Sequence, residues 1–154
     1  MQTLKKRTQG FTIIEVMIVL VIAAVILLIV FLAIPALQRN SRNTQRKNDV
    51  AAILAATAEY ATNNNGSYPS DQATFNSQVL GNAKLGFYTT AEVTYATTGT
   101  PSAPADNATN VTVWKATKCN GNTPTKIGAT ERQIAATYNV EASAGLTVEQ
   151  CQEG

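Results

Sequence analysis

The sequence predicts an α+β fold: one long N-terminal helix followed by a small antiparallel sheet. Three observations lead there. An apolar run fills the chain from Phe11 to Ile34, broken only by Thr12 and Glu15. Helix-compatible sequence continues past it to about residue 62. The remainder holds short strand-like runs separated by Gly, Pro, Asn and Ser.

The first element is set by length and composition. From Val16 to Ile34 every residue is apolar, about 19 in a row, and a spanning helix needs roughly 20. That run is too long for an ordinary secretory signal, and no small-residue cleavage site follows it. It ends at Pro35, whose ring clashes with the carbonyl of Phe31, so a kink or local melting is expected near Phe31–Pro35. Basic residues stand on both sides, with Lys5, Lys6 and Arg7 before the span and Arg39, Arg42, Arg46 and Lys47 after it. Loop charge therefore gives no orientation.

Past Pro35, Arg39, Arg42 and Arg46 recur at helical spacing and line one face. Two readings stay open for that face: a solvated collar at the lipid headgroups, or a surface that meets acids on neighbouring copies. Val50, Ile53, Leu54, Thr57, Ala58 and Ala61 form the packing stripe of an amphipathic helix. The cluster Asn63-Asn64-Asn65-Gly66 stops it. Asp71 is placed to cap a short helix over Gln72–Leu80. Strands are predicted over 92–97, 111–114, 133–140 and 146–151, with a long polar loop over 98–110. The simplest arrangement is a four-stranded antiparallel sheet packed on the long helix.

Residues Gly10-Phe11-Thr12-Ile13-Ile14-Glu15, behind a basic leader and ahead of an unbroken span, resemble the prepilin signature of type IV pilins. The resemblance is close from Leu4 to about Asn48 and covers the rest only in outline. Type II secretion pseudopilins share the signature, and Gly66-Ser67-Tyr68-Pro69 does not separate the two families. The resemblance implies a division into a leader (1–10), a transmembrane and assembly helix (11–34), its amphipathic continuation (35–62) and a globular head (63–154). It implies cleavage between Gly10 and Phe11 by a prepilin peptidase, and N-methylation of Phe11. It also implies a single-pass prepilin in the cytoplasmic membrane that becomes a surface pilus. Partners would be further copies of the chain in a helical filament, the peptidase, an assembly ATPase and a platform protein. The sequence departs from the family at Leu32 and Ala24, where many pilins carry Pro and Gly; here the Pro falls at Pro35.

Glu15 is the one charge inside this segment. A carboxylate at the centre of a membrane helix costs about 2.5–3.5 kcal/mol on insertion scales, so it needs a partner or a special place. Two roles fit. It can favour the positive end of the helix dipole near the membrane surface, worth about 0.3–1 kcal/mol. Or, as the resemblance implies, it pairs with the freed terminal amine of a neighbouring subunit.

Cys119 and Cys151 are the only cysteines, and an even count in an exported domain predicts a disulfide. The sequence offers no catalytic apparatus. There is no His, no CxxC, no zinc ligand set and no phosphate-binding Gly loop. The C-terminal region lacks the acidic cluster of a calcium site, so no cofactor is expected. A net charge of +2 and scattered Lys84, Lys115, Lys118, Lys126 and Arg132 give nucleic acid no support. The chain thus reads as a structural pilus subunit rather than an enzyme. Adhesion, twitching motility and DNA uptake are the roles such fibres serve. A secretion pseudopilin is the alternative, and a membrane-anchored binding protein a more distant one.

Overall fold

A long helix, α1 (Ile13–Asn63), is the first element among the described residues. The computed structural model describes residues 10–102, 104–105, 109–128 and 132–154. Two compact units divide the chain, Met1–Gln38 and Arg39–Gly154.

In the first unit, helix is continuous from Ile13, and every described residue is exposed. Pro35 lies within α1 and does not melt it. Large side chains such as Phe31 (72 % exposed) and Leu32 (75 %) touch little of their own chain. An apolar surface this long is incompatible with water and is long and apolar enough to cross a membrane.

In the second unit the same helix becomes a core element. Val50, Ile53, Leu54, Thr57 and Ala61 are buried, on the predicted stripe; Ala58 is exposed. The helix ends at the predicted turn cluster. Asn65 takes a left-handed φ of +55°, and the Gly66 N–H donates back to the Ala61 carbonyl at 2.7 Å, closing a Schellman cap. A short helix α2 (Gln72–Thr74) follows, with the Asp71 carboxylate accepting the Thr74 N–H at 2.8 Å. It continues as π-helical turns over Phe75–Leu80.

Six strands form two sheets: β1 (Val93–Ala96), β2 (Val111–Lys115), β3 (Thr117–Asn120), β4 (Thr123–Lys126), β5 (Ile134–Glu141) and β6 (Thr147–Glu153). The main sheet runs β1-β2-β5-β6, and β3-β4 form a separate hairpin. This corrects the expected single antiparallel sheet in two ways. First, β1 and β2 are parallel, with Val93 opposite Val111. Parallel neighbours need a crossover of a dozen or more residues, and the polar stretch 97–110 is long enough to return the chain. Second, the β3–β4 hairpin is additional. Its residues are polar and include Pro124, so they carry no strand periodicity. The remaining pairs, β2–β5 and β5–β6, are antiparallel.

The core lies between the second half of α1 and the main sheet. Ile53, Phe75, Val79, Val111, Val113 and Ile134 fill it. Phe75 stacks on Tyr95 with ring centroids 4.5 Å apart, a contact worth about 0.5–1.5 kcal/mol beyond burial. Strand β5 is buried on both faces through Asn139. Its outer face is covered by the long loop: Thr137 Oγ1 donates to the Ser102 carbonyl at 3.4 Å and Asn139 Nδ2 to that of Ala105 at 2.8 Å.

A disulfide joins Cys119 on β3 to Cys151 on β6, Cα to Cα 5.7 Å, and ties the hairpin to the main sheet. Its partners are 32 residues apart, so closing that loop restricts the unfolded chain by roughly 3–4 kcal/mol on the chain-entropy account. Replacing both cysteines by Ser should lower unfolding stability by about that amount. Denaturant titration of the detergent-solubilised protein, followed on the single Trp114, measures it.

Candidate functional site

Two groups of polar residues stand out, one in each unit. The first is the start of α1. Gly10, Phe11 and Thr12 precede the helix, and Phe11 is 89 % exposed. Thr12 and Glu15 form a reciprocal cap. The Thr12 N–H and hydroxyl donate to Glu15 Oε2 at 2.8 and 2.7 Å, and the Glu15 N–H donates to Thr12 Oγ1 at 3.3 Å. This is a capping box, in which two otherwise orphaned backbone donors are satisfied. Its sequence signal, Thr-x-x-Glu before an apolar run, was present at Thr12–Glu15. Phe11, Glu15, Val16, Val19 and Leu20 share one side of this segment, so the carboxylate borders an apolar surface. Lys5, Lys6 and Arg7, the basic residues of the expected leader, lie outside the described residues.

A family profile described as "Prokaryotic N-terminal methylation motif" matches residues 5–31. The chain carries an N-terminus typical of type IV pilins and pseudopilins. The match covers the basic residues, the Gly10–Phe11 junction, Glu15 and most of the span. No curated protein and no solved structure matches the chain. Motif and membrane-length helix together support a pilin- or pseudopilin-like subunit, anchored in the membrane as a precursor. Among the described residues no group of three or more His, Cys, Asp or Glu could hold a metal ion.

The second group fastens α1 to the head. Arg39, Arg42 and Arg46, for which the sequence left open a headgroup collar or a face toward neighbouring copies, have partners within the chain. They meet the end of β5 in their own chain. Arg42 makes a forked pair with Glu141, its Nε donating to Oε1 at 2.9 Å and its Nη2 to Oε2. Arg46, only 5 % exposed, donates to Glu141 Oε1 at 2.9 Å and to the Asn139 carbonyl at 2.8 Å. Its guanidinium also lies over the Phe87 ring, 4.6 Å from the centroid. Arg39 donates to the Ala142 carbonyl at 2.9 Å. Asn43 completes the clamp by bonding both backbone groups of Glu141, each at 2.8 Å.

One turn further on, Asp49 is buried and accepts three successive backbone N–H groups, from Gly86, Phe87 and Tyr88, at 2.9, 2.7 and 2.9 Å. A carboxylate in such a nest is stabilised by the converging amide dipoles, and it pins the loop before β1 against α1. Glu141, Asn43 and Asp49 had no signal in the sequence. Their partners lie far along the chain, 99 residues away for Arg42 and Glu141.

The forked bond from Arg42, with the charges of Arg46 and Arg39, holds the Glu141 carboxyl below the usual carboxylate range. The folded state thus prefers this group ionised. Its contribution is fully present above the ordinary glutamate value and is lost as pH falls through the depressed folded one. Burial pushes Glu149 up, which works in the opposite direction. A comparison of variant with parent isolates Glu141. Thermal melts of Glu141→Gln should show a smaller loss of stability on acidification than the parent. Parallel acid profiles would remove Glu141 from this role.

Proposed function

We propose that the chain is the structural subunit of a type IV pilus. It is cut between Gly10 and Phe11, methylated on Phe11, and polymerised through its N-terminal helix into a surface filament. The reading rests above all on one observation: an exposed apolar segment from Phe11 to Ile34 carries a single carboxylate, Glu15, one turn from the cleavage motif.

Before cleavage, Glu15 has a local partner in Thr12. Cleavage would create an ammonium at Phe11, and packing of like helices would bring the amine of one copy to the carboxylate of another. Hydrophobic burial adds little to this step, since lipid is already apolar. Association rests on van der Waals packing and on polar pairing. A kink at Pro35 would adjust how the span meets its neighbours. The assembly ATPase and platform protein would supply the work of extracting subunits from the cytoplasmic membrane. The head, stapled by its disulfide and holding no expected cofactor, would form the filament surface.

The proposal separates the local cap from the intermolecular pair. Thr12→Ala removes a cap worth about 1 kcal/mol, which assembled helices can absorb, so fibre yield should stay within a few-fold. Glu15→Gln keeps a hydrogen-bonding side chain and removes the charge. In that variant, processed subunit should persist while fibres fall by roughly tenfold or more, the factor that about 1.4 kcal/mol commands. Electron microscopy of sheared surface material and immunoblots of membranes read both quantities. Normal fibres from Glu15→Gln would defeat the proposed assembly role.

A further inference from the structure

Two Asn-Gly dipeptides occur in the chain, Asn65-Gly66 and Asn120-Gly121, and their surroundings differ. Asn-Gly is the sequence in which the following amide nitrogen most readily attacks the Asn side chain, because glycine places no Cβ in the way. The sequence alone treats both sites alike.

At Asn65 the attacking nitrogen is engaged. The Gly66 N–H closes the Schellman cap to the Ala61 carbonyl at 2.7 Å. The space where a Cβ would stand on Gly66 is occupied by the Arg132 guanidinium. Breaking this arrangement means opening the last turn of α1.

At Asn120 nothing comparable holds the nitrogen. Asn120 ends β3, Gly121 is the first residue of the two-residue loop to β4, and both are exposed. Gly121 has φ +63°, and the space around its missing Cβ is open to 4 Å. Among the described residues, its N–H and the Asn120 carboxamide make no hydrogen bond; the Asn120 backbone carbonyl accepts the Thr123 hydroxyl at 2.8 Å.

We propose that Asn120, and not Asn65, is a site of spontaneous deamidation in the folded protein. The Gly121 nitrogen, on losing its proton, attacks Cγ of Asn120. The new C–N bond closes a succinimide, and the Cγ–Nδ2 bond breaks to release ammonia, which carries off the proton. Water then opens the ring at either carbonyl, giving aspartate or isoaspartate at position 120. Water is gained and ammonia lost, with no oxidant or enzyme needed. Either product adds a negative charge beside Cys119, whose N–H is held by Glu153 Oε1 at 2.6 Å. Isoaspartate also inserts a backbone carbon at the entrance to the two-residue β3–β4 turn. The inference is independent of the filament role.

The test is peptide mapping by mass spectrometry of the full-length protein in detergent micelles. The protein is aged in mildly alkaline water enriched in oxygen-18, which labels the opened ring. Asn120 should convert faster than Asn65 by roughly tenfold, the order set by one hydrogen bond of ordinary net strength. In a reduced, denatured sample the two sites should convert at similar rates. Asn65 converting as fast as Asn120 in the folded protein would overturn the proposal. So would an Asn120 that stays amide while the denatured chain converts at both sites.

Discussion

One helix has to serve two media, and the rest of the structure follows from that. Up to Gln38, α1 buries nothing against its own chain; from Arg46 onward it supplies the head's core. A helix uniformly apolar on its surface has no stable place in water. Lipid satisfies it because every backbone group bonds within the helix. In the proposed filament, other copies of the same helix would take the place of lipid. A carboxylate at the entrance is tolerable where a cap or a cation meets it, and Thr12 supplies the cap in the single chain.

The second half of α1 has a different problem. It belongs to the head, and the apolar core it joins is small. Polar fastenings supplement that core. Glu141 takes two arginines from α1, and Asp49 takes three backbone amides from the loop before β1. A buried ion pair adds little net stability over an apolar contact of the same shape, yet removing one partner is expensive. Such contacts specify register: a helix shifted by one turn would leave Arg46 and Asp49 buried and unpaired. The disulfide acts at the other end of the head, where β3 and β4 lack an apolar side to hold them.

Much of this was legible in the residues, and the failures have physical causes. The end of α1 fell at the Asn63–Gly66 cluster because turn chemistry is local. Strands β1, β2, β5 and β6 fell within two residues of their expected bounds because β-branched and aromatic runs are local too. Strand direction was not legible, since it depends on where the 97–110 connection travels. The β3–β4 hairpin was hidden by its polar composition, although Asn120-Gly121 is a recognised hairpin signal that could have exposed it. The partners of Arg42, Arg46 and Asp49 were illegible because charge pairing across the fold leaves no periodic trace. At the N-terminus the reverse held, and six consecutive residues carried the inference.

The most direct test of the account is the intact mass and N-terminal sequence of the protein recovered from the cell surface. The account predicts a chain that begins at Phe11 and carries one added methyl group. A chain in surface fibres that still begins at Met1 would contradict it.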